Sequence, residues 1–324
     1  MLITRRDCLA GIAAAGIAPH AASAQQPYPS GLNIRVIVLA AAGGSIDVVG
    51  RIVADRLAAM WGVPVVVENV PGGMGNIAHD RVARGPADGT QLLIMATPLV
   101  TNQFLYPHLN HDPERDFIPI SCVARLPNLL VVKKSLPVGS VAELIAYAKA
   151  NPGKLNYGSP GIGSSIHLSA ELFKRMTGIE MAHVAYRGSG QALNDLVAGH
   201  IDLVFNNITG AIDLVRAGQI KGLAVTSAQR TPLAPEFPTV AETVPGFDVT
   251  AWFGVGVRAG TPPQIVARIE KDVVALSKEA SVRERLAKLV TEAVGSSSVE
   301  FAQFLAQERL RWGSLINELG IRIE

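Results

Sequence analysis

LNYGSPGIGSSIHLSAELFKRMTGIEMAHVAY, residues 155–186, holds one complete unit of the chain's repeating architecture. Its first five residues read as a short strand, residues 164–177 carry an amphipathic helical pattern, and HVAY (183–186) returns to strand. Gly158 stands near the end of the first strand, and Pro160, Gly161 and Gly163 follow before the helix, a turn too rich in glycine for either element. Strand, glycine turn, helix, strand is the repeating unit of an α/β protein with parallel strands.

The same rhythm extends in both directions. Upstream, IRVIVLA (34–40) reads as a buried strand, Gly43-Gly44-Ser45 as a turn, and Ile46, Val49, Val53, Leu57 and Met60 as the apolar face of a helix. VPVVVEN (63–69), TQLLIMA (90–96) and LPNLLVVKK (126–134) are further strands. Ser140 caps a helix over VAELIAYAKANPGK that Pro152-Gly153 stops. Downstream, helices over 190–198 and 209–217 alternate with strands DLVFN (202–206) and KGLAVTS (221–227). Four prolines break the rhythm over 228–248, TAWFGVGV (250–257) resumes it as a strand, and two or three helices finish the chain. The expectation is an α/β architecture of parallel sheets covered by helices.

In open α/β sheets ligands sit outside the carboxyl ends of the strands. Glycine-rich turns fall there three times, at 43–45, 158–164 and 187–190, spread over both halves of the chain. Successive glycines ahead of a helix expose backbone N–H groups, and the helix dipole favours negative charge at that end. The pattern points to one anion site between two lobes, which a chain of this length accommodates at roughly 150 residues per domain.

Other chemistries fit less well. GIGSS and GGSID miss the G-x-S-x-G spacing of a serine hydrolase, so helix capping is the default role of Ser164 and Ser165. An exported α/β enzyme using one of those serines stays open as the alternative. No Walker sequence is present, and GMGNIA (73–78) lacks the acidic residue a dinucleotide fingerprint needs about 20 residues on. His79, His108, His111, His167, His183 and His200 show no metal-binding spacing and read as surface or capping residues, so neither a metal nor a cofactor is expected.

The first two dozen residues follow the plan of an export signal: Arg5-Arg6, the apolar run Cys8–Ala18, and Ala22-Ser23-Ala24 as a cleavage site. TRRDCLA approximates a twin-arginine pattern, and a Sec signal with adjacent arginines reads equally well. Cleavage after Ala24 leaves 300 residues (324 less 24) and takes the net charge from +2 to +1. A near-neutral chain without basic blocks argues against nucleic acid as partner. Cys122, within the apolar run FIPISCVARL, then has no internal disulfide partner and reads as a buried small residue.

From Tyr28 onward the sequence resembles the periplasmic solute receptors of tripartite tricarboxylate transporters, the Bug family. The resemblance is carried by YPSGLNIRVIVLAAAGGSID, VVVENVPGGMGNIAHDRVARGPADGTQLL, LYPHLNHDPERDFIPI, SVAELIAYAKANPGKLNYGSPGIGSSIHLSAELF and HVAYRGSGQALNDLVAGHIDLVFNN, in that order. It implies a two-lobed flytrap (type II-like periplasmic-binding-protein fold), with residues 27–125 plus 251–324 as one lobe and 126–250 as the other. It further implies capture of a small organic carboxylate, held largely by backbone amides and water, and delivery to a membrane permease. Carried over by motif, the ligand-binding residues would be Ala42, Gly43, Gly44, Ser45 and Asp47; Ala96 and Thr97; Gly161, Gly163, Ser164 and Ser165; Gly188, Ser189, Gln191 and Ala192; and Asn206. Asn206 stands where the family usually has aspartate, and Ala40-Ala41-Ala42-Gly43-Gly44 replaces its proline-and-glycine loop.

Overall fold

The structure, a computed structural model, describes residues 28–323, so the expected export segment over 1–24 lies outside the described residues. Strand β1 (Ile34–Val38), helix α1 (Ser45–Trp61), β2 (Val65–Asn69), α2 (Asn76–Ala83), β3 (Gln91–Met95) and α3 (Pro98–Leu105) come first. A long strand β4 (Phe117–Lys133) leads to α4 (Val141–Ala150), β5 (Leu155–Ser159), α5 (Ser165–Thr177), β6 (Met181–Ala185), α6 (Ser189–Ala198), β7 (Leu203–Asn207), α7 (Ile208–Arg216) and β8 (Ile220–Val225). Strand β9 (Thr250–Arg258), helices α8 (Pro263–Lys278) and α9 (Ala280–Ala287), the short β10 (Glu292–Ala293) and α10 (Ser298–Glu318) complete the chain.

Strand β4 is the spine. Phe117–Pro127 pairs antiparallel with β9, whereas from Asn128 onward the same strand pairs with β7 and β8. One strand therefore serves two sheets. In the first, β1 lies parallel between β2 and β3; in the second, β5 lies parallel between β6 and β7. Each sheet with its helices makes one lobe, and the fold is α/β and two-lobed. The expected parallel order holds within β2-β1-β3 and within β6-β5-β7. Strands β4 and β9 enter antiparallel because no strand–helix–strand crossover joins either to its sheet neighbours; they run between the sheets instead.

Two helices and half a strand are not visible in the sequence pattern. FIPISCVARL is the front of β4, and its near-continuous burial erases the alternation that marks a one-sided strand. Helices α2 and α3 have eight residues each, too few to display a clear period. Cys122 is fully buried and free, and burial pushes its thiol up to about 11, which keeps it inert. Among the described residues no helix is long and apolar enough to cross a membrane.

Candidate functional site

The loop after β1 is shaped by Asp47. Gly43 N donates to Asp47 Oδ2 at 2.9 Å, Arg51 Nε to the same oxygen at 2.9 Å, and Asn69 Nδ2 to Oδ1 at 2.8 Å while also reaching Ala40 O at 2.9 Å. Burial alone would push this carboxyl up; the hydrogen bonds from Arg51, Gly43 and Asn69 outweigh it and hold it below the usual carboxylate range. Asp47 thus organises the loop, while Ala42, Gly43 and Gly44 stand exposed ahead of α1, with Ser45 half-buried. Gly44 is the N-cap of α1 and offers no side chain to its first turn. Those N–H groups are left to water or a ligand.

The second sheet supplies a matching start. Gly188 is the N-cap of α6, again without a side-chain cap, and Ser189 follows it half-buried. Gln191 Oε1 accepts from Arg187 N at 3.2 Å and closes the turn, and the methyl of Ala192 points inward toward Gly158. Ala96 and Thr97 sit buried between β3 and α3. Asn206 is also buried: its Nδ2 donates to Asn207 O at 2.9 Å under the first turn of α7, and Oδ1 has no partner.

The loop between β5 and α5 is the most constrained. Ser164 caps α5, accepting from His167 N at 3.2 Å and donating to Gly161 O at 2.8 Å. Ser165 is buried, and its carbonyl accepts from Asn128 Nδ2 and Ser169 Oγ. Neither serine has an imidazole on its hydroxyl among the described residues. Gly161 has φ +137° and a Cβ there would lie 2.5 Å from Met74 Sδ; Gly163 has φ +90° and its Cβ would collide with Leu105.

Those last contacts cross from one sheet to the other. Met74, itself at φ 49° in a tight turn after β2, reaches Gly161, and Thr101 Oγ1 donates to Gly163 O at 3.1 Å. Asn102 steadies the turn through Met74 O (3.0 Å) and Asn76 Oδ1 (2.7 Å). The sequence reading missed Met74, Thr101 and Asn102. Its available signals were the glycines of PGGMGN and Pro98, which suits the first turn of a helix.

The histidines need a correction. His108 and His200 are exposed, but His79, His111 and His167 are buried. Burial pushes His79 and His167 down to about 3, so both are neutral. They pack as flat, partly apolar rings: His79 against His111 and Phe117, and His167 against Tyr157 and His183.

Two lobes with open, glycine-capped helix starts on both sheets suit a solute-binding receptor. The family model described as the tripartite tricarboxylate transporter family receptor matches residues 49–321. Protein BugT of Bordetella pertussis is 33% identical over 329 residues, covering all of both chains. Among solved structures, Rpa4515 of R. palustris with adipate is 39% identical with TM-score 0.87, over 91% of this chain and 100% of that one. MatC from Rhodopseudomonas palustris with bound malate is 31% identical with TM-score 0.81, over 88% and 98%. The chain belongs to the tripartite tricarboxylate transporter receptor family and is a solute receptor.

Proposed function

We propose that this receptor captures a small organic carboxylate between its lobes in the periplasm and delivers it, unchanged, to the permease of a tripartite tricarboxylate transporter. The observation that carries this reading is the pair of uncapped helix starts, α1 behind Gly44 and α6 behind Gly188, one on each sheet. Each presents backbone N–H groups and the positive end of a helix dipole to an anion. Adipate in Rpa4515 and malate in MatC support a dicarboxylate as the ligand class. Binding without catalysis is supported by Ser164, whose hydroxyl is engaged in capping, and by the burial of Ser165.

The lobes are residues 27–125 plus 251–324, and 126–250. The change of strand partners along β4 between Pro127 and Asn128 supports that division. Asn206, uncharged where an aspartate would attract an ammonium group, favours a ligand without an amine. Calorimetry with adipate, malate and glutamate tests the reading. Saturable binding of a dicarboxylate with glutamate at least tenfold weaker is expected. Failure of all three carboxylates to bind would overturn it, as would turnover of any of them.

A further inference from the structure

Behind the Gly161–Ser164 loop lies a polar cluster that caps no helix. Ser159 Oγ sits 2.7 Å from His183 Nε2, accepts from Gly161 N at 3.1 Å and lies 3.2 Å from Gly161 O. Gly163 N donates to His167 Nδ1 at 3.4 Å. The two imidazoles pack edge to face, with centroids 4.6 Å apart, and His183 stacks on Tyr157 at 4.9 Å. Tyr157 in turn donates to Glu171 Oε1, which also takes Lys174 Nζ at 2.8 Å. The backbone of Gly161 is therefore tied from behind to Ser159 of β5, itself held by His183 of β6, and that of Gly163 to His167 of α5.

We propose that Ser159, His167 and His183 are positioning residues that hold the Gly161–Ser164 loop in its ligand-binding shape, His167 acting through a neutral ring whose Nδ1 lone pair receives Gly163 N–H. The inference rests on the carboxylate reading for the loop's purpose, but the geometry stands apart from it. Glycine reaches positive and negative φ about equally readily, so Gly161 and Gly163 give the loop freedom that outside contacts must remove, and each glycine has one amide anchored in this cluster. An imidazolium at His167 would have no lone pair for Gly163 N–H. Burial, the neighbouring His183 and the Lys174 ammonium all oppose that protonation and keep the ring neutral. His183 is likewise held below its ordinary value, by burial first, with Glu171 pulling up and Lys174 pushing down.

Four variants of the full chain test the inference. His167→Asn keeps an oxygen acceptor where Nδ1 stands and His183→Gln keeps a polar atom near Nε2, while His167→Phe and His183→Phe keep only the ring. Amide resonances of Gly161 and Gly163 should move in both phenylalanine variants and return toward wild type in the asparagine and glutamine ones. Affinity for adipate and malate should fall about tenfold in the former and stay within about threefold in the latter, the scale of one lost hydrogen bond. Unmoved glycine amides, or phenylalanine and amide variants that behave alike, would overturn the positioning role. Should wild type bind none of adipate, malate and glutamate, the carboxylate reading fails, and the amide resonances still decide the positioning role.

Discussion

At the scale of single residues, the glycines of the site divide by what surrounds them, not by their spacing in the sequence. Gly163, at φ +90° with Leu105 where a Cβ would go, has no room and no ordinary backbone conformation for another residue. Gly188 has φ −176°, extended backbone open to any residue, and nothing within 4 Å of its would-be Cβ. Gly163→Ala should cost about 1–3 kcal/mol through overpacking and strain, and should weaken ligand binding with it. Gly188→Ala should leave stability within about 0.5 kcal/mol. Urea midpoints for the two variants check this, and equal losses would show that surroundings do not set the difference. Glycine placement was legible in the sequence because turns advertise themselves through composition. What packs against each turn was not, since Met74, Thr101 and Leu105 come from segments far upstream along the chain.

Elements add a cost that sequence reading also hid. Helix α2 carries His79 fully buried, with neither ring nitrogen partnered, beside His111 and Phe117. Its folded value of about 3 lies below the unfolded 6.5, so above pH 6.5 both states are neutral and its contribution to stability is complete. As pH falls from 6.5 toward 3 the unfolded chain takes a proton that the fold refuses. Stability then drops by about 1.4 kcal/mol per pH unit for this ring. His79→Leu should make the loss between pH 6.5 and about 4.5 visibly shallower in urea titrations, though His167 keeps part of the slope. Parallel pH profiles for the variant and wild type would refute the assignment. Helix α10 is fixed differently: Trp252 Nε1 on β9 and Trp312 Nε1 both donate to the buried Glu308 Oε2, at 3.0 and 2.9 Å. Glu308→Leu strands two buried indole N–H groups at about 1–3 kcal/mol each, whereas Glu308→Gln keeps an acceptor and should lose less. Thermal melts that rank the two variants the other way would contradict this. Periodicity disclosed the strands and the longer helices, because one-sided burial writes itself into spacing. It could not disclose β4 as one strand over two sheets, since a strand buried on both faces has no period, and it made surface residues of histidines whose burial depends on distant partners.

At the scale of the whole molecule, the two sheets already touch. Thr101 Oγ1 donates to Gly163 O, Thr209 Oγ1 to Leu289 O at 2.7 Å, and Arg175 pairs with Glu318 at 2.6 Å. Two apolar side chains join them: Met74, whose thioether rests on Gly161, and the buried Leu105, which lies against Gly163. Opening the lobes along β4 and β9 would return the Met74 side chain to water and break the Thr101 bond. The prediction is that Met74 biases the free receptor toward closure. Met74→Gly removes the side chain without backbone strain, because glycine tolerates φ 49° better than methionine does. Burying a methionine side chain fully contributes about 1.5–3 kcal/mol, and a half-buried one about half of that. A shift of about 1 kcal/mol changes the open-to-closed ratio roughly fivefold. A ligand that binds the closed form then loses affinity in proportion to the closed fraction removed. The expected outcome is a larger radius of gyration for free Met74→Gly than for free wild type, converging at saturating adipate, with affinity weakened by up to about fivefold. Met74→Leu serves as the control: it keeps an apolar side chain against Gly161 and should scatter and bind like wild type. If Met74→Gly is as compact as wild type without ligand, the Met74 contact carries no bias, and Leu105 on Gly163, the hydrogen bonds and the Arg175–Glu318 pair hold the lobes without it.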